Sequence, residues 1–229
     1  MGFTIGGNRD TRSGARRRGR AAEPTTVAAE CTGLWGWDVV PGARAVRVPG
    51  SGAYACSCGA PGCPAPGAHP LPDAPVVPAG ATLDEVAAAW TAAPDAAVLL
   101  PAGRAFDVLE VAEHAGRHAL VRLERMGLPL GPVTATPSGR ARFFVAPGAA
   151  AELPGLLYRM GWDDADLDLR CLGPGDHVTA PPSDLGGRGP VRWLRPPSLD
   201  TAGRPPHARL LLGTLAYTSH RAAVRRPRS

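Results

Sequence analysis

Asp166-Leu167-Asp168-Leu169-Arg170-Cys171 alternates charged and apolar side chains. Successive side chains of a strand point to opposite faces, so this pattern predicts a strand over 166–171. Asp166, Asp168 and Arg170 then share one face, and Leu167, Leu169 and Cys171 the other. Two carboxylates beside a guanidinium suit a divalent cation next to a phosphate: the acids take the metal and the arginine takes the anion. An exposed edge strand with a local salt bridge has the same pattern, so the chemistry rests on what accompanies it.

A second strand, Phe106-Asp107-Val108-Leu109-Glu110-Val111, is apolar enough for a central position. Phe106, Val108 and Glu110 fall on one face; Asp107, Leu109 and Val111 fall on the other. A carboxylate in so apolar a run is costly to bury unless paired or metal-bound, which makes Glu110 a site candidate. The next residue on its face is Ala112, which offers no ligand. A third piece is Thr136-Pro137-Ser138-Gly139, a turn feeding a strand over 140–145. Its Ser138-Gly139 backbone can present N–H groups to an anion, with Arg140 and Arg142 on one face behind it.

Around these pieces the sequence predicts helices at about 82–92, 115–126, 150–160 and 207–219, and a short helix after Thr25 or Thr26. Thr82 with Glu85 three residues on makes a capping box. Leu120, Leu123 and Met126 form an apolar stripe that stops at Gly127. Further strands are expected near 36–41, 97–100, 177–180 and 191–194. Strands 166–171 and 177–180 read as a hairpin across Gly173-Pro174-Gly175-Asp176, which would let His177 face the same cleft. The expected fold is α+β, a mixed β-sheet with flanking helices and a Cys/His loop insertion.

That loop carries Cys56-x-Cys58-x4-Cys63-x5-His69. Four soft or borderline ligands so close together are enough for tetrahedral Zn²⁺, and a Gly/Pro-rich loop has little apolar content to order it otherwise. Cys31 and Cys171 lie apart and read as small buried hydrophobes. Trp35, Trp37, Trp90 and Trp193 read as packing residues, and His114 and His118 as a solvated helix face.

Every basic residue is arginine, and their distribution is uneven. Six arginines lie in residues 1–20 and four in 221–229, leaving 15 against 19 acids in residues 21–220. An acidic core argues against coating nucleic acid through a broad basic face. The expected organisation is a disordered basic arm over 1–23, a domain over 24–220 and a basic tail over 221–229. No run approaches the ~18 apolar residues of a spanning helix, and no signal-peptide core is present, so no membrane partner and a cytoplasmic location are expected. There is no Gly-x4-Gly-Lys-Ser/Thr loop to indicate an accompanying motor.

The order of these pieces resembles the bifunctional DNA primase/polymerases, or prim-pols, of the archaeo-eukaryotic primase superfamily. The resemblance spans about Val27 to Trp193. It runs through Gly36-Trp37-Asp38-Val39-Val40-Pro41, the Cys56–His69 cluster, the helix ending in Trp90 and Val108-Leu109-Glu110-Val111. It continues through Thr136-Pro137-Ser138-Gly139 and Leu167-Asp168-Leu169-Arg170 to Ala180-Pro181-Pro182-Ser183. It implies template-directed nucleotide polymerisation, with nucleotides and DNA or RNA as partners and Mg²⁺ or Mn²⁺ held by three carboxylates. Glu110 matches the first acid of the family's Asp-x-Asp pair, and Asp168 matches the third carboxylate. Ser138, Gly139, Arg142 and Arg170 fall at the nucleotide-binding positions.

Two departures bear on activity. Ala112 stands where the second acid is expected, with Glu113 able to substitute only if the strand ends or bulges there. Arg142 stands where the family places histidine, and arginine binds phosphate without offering a neutral imidazole. The expectation is a nucleotide- or nucleic-acid-binding domain with weakened or lost catalysis. The alternatives are an active divergent nucleotidyltransferase and a non-enzymatic interaction domain.

Overall fold

The computed structural model describes residues 23–224. The predicted N-terminal arm, apart from Glu23, and residues 225–229 of the tail lie outside the described residues.

The chain opens with helix α1 (Pro24–Gly33), then strands β1 (Val40–Gly42), β2 (Ala45–Arg47) and β3 (Tyr54–Cys56). Helix α2 (Leu83–Trp90), strands β4 (Ala97–Pro101) and β5 (Asp107–Ala112) and helix α3 (Glu113–Arg125) follow. Next come β6 (Val133–Ala135), β7 (Arg140–Val145), α4 (Ala149–Arg159), β8 (Leu169–Leu172) and β9 (His177–Thr179). The described chain ends with β10 (Arg192–Arg195), α5 (Leu199–Ala202) and α6 (Ala208–Val224). The first residues of the expected basic tail, 221–224, therefore belong to α6.

The fold is α+β. Five strands in the order β10-β6-β7-β5-β8 make the principal sheet, β1-β4-β9 a second, and β2-β3 a ribbon before the cysteine loop. Every strand pairing is antiparallel.

The core divides at β5, all six of whose residues are buried. Val108, with Phe144 and Leu172, packs toward Val98, Leu100 and Val178 of the second sheet and toward α1 and α2. Trp37, Phe106, Phe144 and Trp193 form an aromatic cluster on that side, with Trp37 and Phe144 stacked at 5.4 Å between centroids. Leu109 and Val111 pack on the other side with Ala119, Leu123, Leu156 and Leu212, the apolar stripes of α3, α4 and α6. A strand covered on both faces explains the near-continuous apolar reading of 106–111. Gly116 lets α3 settle onto this sheet, because a Cβ there would lie 2.4 Å from Ala141 Cβ.

Local signals account for several boundaries. Thr82 and Glu85 form the expected capping box at α2. Helix α3 starts two residues earlier than predicted, directly after β5, and its stripe ends at Leu123; Met126 is exposed beyond it. Gly127 takes φ +67° at its end.

Two expectations about the 166–180 region are corrected. The strand begins at Leu169, so Asp166, Leu167 and Asp168 precede it. Its ladder starts at Val111↔Leu169; β5 ends one residue beyond Val111, and Glu113 is already helical. Residues before 169 thus have no partner strand. Nor do β8 and β9 form a hairpin. β8 pairs with β5 and β9 with β4, so the 173–176 turn carries the chain between sheets. Asp176 closes that turn by accepting from Gly173 N at 2.9 Å. His177 consequently lies opposite Pro101 in the second sheet, and the expectation that it shares the Glu110 cleft by a hairpin does not hold.

Candidate functional site

Cross-strand register assembles the principal site. Glu110 lies opposite Arg142 of β7 on one side and Arg170 of β8 on the other, and Arg142 lies opposite Thr134 of β6. Residues opposite each other share a sheet face, so Glu110, Arg142 and Arg170 form one charged row. Arg140, opposite Ala112, adds a third guanidinium.

Glu110 is 1% exposed, and both its carboxylate oxygens are engaged. Oε2 accepts from Arg142 Nε at 2.7 Å. Oε1 accepts from Arg140 Nε at 3.1 Å and from Arg170 Nε at 2.9 Å, with Arg170 Nη2 at 2.7 Å. Arg140 also reaches the Asp168 carboxylate through Nη1 at 2.7 Å. Burial alone would push the Glu110 carboxyl up; Arg142 and Arg170 outweigh it and hold the group below its ordinary value. Arg140 is held above its ordinary value, first by its bond to Asp168.

The structure therefore brings Glu110, Arg142, Asp168 and Arg170 together, and it adds Arg140. The sequence signal for Arg140 was its period-two relation to Arg142. Ser138 and Gly139 sit in the turn before β7. Thr136 Oγ1 accepts from Arg140 N at 3.1 Å and bonds Ser138 Oγ at 2.9 Å, while Gly139 turns at φ +77°. The Gly139 carbonyl accepts from Glu113 N at 2.7 Å, tying this turn to the β5–α3 junction.

Glu113 does not repair the missing acid. The strand does end before it, yet its carboxylate bonds Arg117 at 2.9 Å and also Arg192. Arg192 is in register with Ala135, which aligns with Ala141 and so with Val111, on the face opposite Glu110. Asp107 lies on that opposite face too. Its Oδ2 accepts from Ala150 N at 2.9 Å and so caps α4, whose own N-cap Gly148 offers no side chain.

The charges decide what this site suits. Arg140, Arg142 and Arg170 stand against Glu110 and Asp168, a surplus of one positive charge. A divalent cation here would meet three guanidiniums and carboxylate oxygens already committed to them. The residues do not fit a carboxylate-held Mg²⁺ or Mn²⁺ pair as they stand. An anion meets the opposite situation, with the Arg170 side chain 62% exposed at the rim.

A second cluster spans the last residue of β3 and the loop after it. One ligand atom each from Cys56, Cys58, Cys63 and His69 falls within 4.8 Å of all the others. His69 Nε2 is 3.3 Å from Cys56 Sγ and 3.4 Å from Cys63 Sγ. His69 Nδ1 lies 2.7 Å from the Pro70 carbonyl, a bond that fixes the tautomer and leaves Nε2 free to coordinate. Burial opposes ionisation of the Cys56 thiol, but backbone bonds from Cys58 and Gly67, with the Cys58 and His69 side chains, bring it down to about 6. Three sulfurs and one imidazole nitrogen fit a tetrahedral metal. Among the described residues this is the one convergent group of three or more such ligands.

The bifunctional DNA primase/polymerase N-terminal domain model matches residues 28–208. The chain belongs to this family. No curated protein and no solved structure matches it. The prim-pol match covers both clusters and most of the described chain, and it relates the protein to DNA primase/polymerase function, a metal-dependent chemistry. Cys31 is buried, its thiol pushed up to about 12 by that burial. Trp37 and Trp90 are core residues, as their packing role required. No described helix is long and apolar enough to cross a membrane.

Proposed function

We propose that this prim-pol domain binds nucleotide or nucleic-acid phosphate at the Glu110 cluster and has weakened or lost metal-dependent polymerisation. The observation that carries this reading is the engagement of Glu110 by three arginines, with Ala112 as the next residue on its face. The buried carboxylate aligns the guanidiniums, and their surplus charge attracts the phosphate. Arg142 and Arg170 are its principal ligands, Ser138 and Gly139 lie beside them on the turn, and Asp168 steadies Arg140. Residues 24–220 act as one domain between basic ends. The Cys56–Cys58–Cys63–His69 set holds Zn²⁺, which with four protein ligands cross-links the loop and takes no part in chemistry.

Calorimetry with a nucleoside triphosphate tests the binding, with Arg142→Ala expected to weaken it on the order of tenfold through loss of a charge-assisted contact. Unchanged binding by that variant overturns the assignment of the site. Primer extension with Mg²⁺ or Mn²⁺ is expected to be absent or feeble. Robust incorporation abolished by Asp168→Ala would establish the active reading instead.

A further inference from the structure

The groove between α3 and α6 has a lining different from that of the Glu110 cluster. A cavity of about 430 Å³ opens there among His114, His118 and Arg122 of α3 and Tyr217, Thr218 and Arg221 of α6. Arg122 lies over the Tyr217 ring at 5.1 Å from its centroid, and Arg221 at 5.9 Å. Neither guanidinium pairs with a carboxylate among the described residues, whereas Arg117, one turn before, is bound to Glu113. Two cations held by one aromatic ring, with two exposed imidazoles beside them and no ion-paired acid among the described residues, form a preorganised anion site.

An adjoining cavity of about 460 Å³ shares His114, Ala115 and Ala222 with the first. It is lined by Asp166, Asp168 and Ser219. Ser219 is 2% exposed, and its Oγ has no hydrogen-bond partner among the described residues. A buried hydroxyl left unsatisfied is costly, so a ligand group or water reaching it is favoured. This cavity also touches Ala112, and its Asp168 is bonded to Arg140 of the Glu110 cluster. The trench thus runs from the arginine–tyrosine end toward that cluster. Acceptors at the inner end suit hydroxyl or amine groups, and the cations at the outer end suit phosphates.

We propose that the α3–α6 groove is a second binding site, which takes the phosphodiester backbone of a single-stranded nucleic acid leading to the Glu110 cluster. Arg122 and Arg221 contact its phosphates, Tyr217 holds both guanidiniums in place, and Ser219 meets a polar group further in. The proposal rests on the nucleic-acid reading above but uses residues outside that site.

Fluorescence anisotropy with a labelled single-stranded oligonucleotide, repeated across a salt series, tests it. The Arg122→Ala/Arg221→Ala variant is expected to bind on the order of tenfold more weakly. Loss of two phosphate contacts is expected to reduce the salt slope by about 1.4. Tyr217→Phe keeps the ring and is expected to bind as the parent does; Tyr217→Leu is expected to weaken binding. Triphosphate binding by calorimetry serves as the separate readout, and the double variant is expected to retain it. A folded double variant with unchanged oligonucleotide affinity and salt slope overturns the groove proposal while leaving the Glu110 reading intact. If the double variant loses triphosphate binding but not oligonucleotide binding, the groove is a mononucleotide site and the strand proposal fails. If the parent binds neither ligand, the Glu110 reading fails along with it.

Discussion

The Glu110 cluster and the Cys56–His69 cluster are both built from groups that rarely sit together without a reason, but they are held in opposite ways. Glu110, Arg142 and Arg170 are fixed by strand register inside a continuous sheet, with both guanidiniums bonded to the one carboxylate. The cysteine cluster sits on a loop of glycine and proline, where its sulfurs converge on one imidazole nitrogen with little apolar packing beneath. The first is hydrogen-bonded within the protein; the second brings together four ligand atoms that could hold a metal ion. Sequence motifs for metal binding therefore differ in what they predict. Carboxylates on strands can be taken over by arginine, whereas a Cys3His set has few other uses.

The largest expected effect separates the two directly. Glu110→Ala removes the carboxylate that Arg142 and Arg170 share and leaves only Asp168, bound to Arg140, as counter-charge; breaking such a buried network costs about 3–5 kcal/mol. Chemical denaturation of that variant should show the loss, with zinc content unchanged. Equal stability to the parent would mean that the cluster is not the self-contained hub described.

Next is the metal. Purified protein should carry stoichiometric zinc by elemental analysis, and Cys63→Ser or His69→Ala should reduce it several-fold. Chelation should then speed proteolytic cleavage within residues 50–68 while triphosphate binding persists. Absence of zinc from the parent, prepared without chelator, would overturn the zinc assignment.

Acid should act on the first cluster through Glu110. Its folded value lies below the ordinary 4.5, so its contribution to stability is present above that pH. The contribution declines as pH falls from about 4.5 through the folded value. Glu110→Gln should therefore be less stable than the parent at pH 7 and show a smaller loss of stability on acidification below 4.5. Parallel curves for the two proteins would place the acid sensitivity elsewhere.

Much of this was legible in the sequence where the cause is local. The Thr82–Glu85 capping box, the period-two run of β7 and the Cys/His spacing each depend on residues close in the chain. The face assignment of Glu110 against Asp107 also followed from period two alone. What stayed hidden depends on distant partners. Asp166 to Asp168 alternate like a strand, but β5 turns into α3 before it can pair with them. The turn at 173–176 is plain in its glycines, yet nothing local says that its two flanks join different sheets. Asp107 as the cap of α4, 43 residues away, and Arg192 as the partner of Glu113 are likewise tertiary facts. The short β2–β3 ribbon and β6 have too few residues for a period to register.

Asp168 gives the smallest effect and the sharpest test of how far the Glu110 cluster extends. Its side chain is 48% exposed and meets Arg140 at the rim, where water and salt screen the attraction. Asp168→Asn should cost no more than about 1 kcal/mol, as exposed pairs do. Removing the charge raises the positive surplus around Glu110, so triphosphate should bind the variant at least as tightly as the parent. A residue serving as a metal ligand for that nucleotide would give the reverse: weaker binding, seen only when Mg²⁺ or Mn²⁺ is present. Calorimetry with and without the metal distinguishes these outcomes, and metal-dependent weakening would return Asp168 to the catalytic role its place in the family implies.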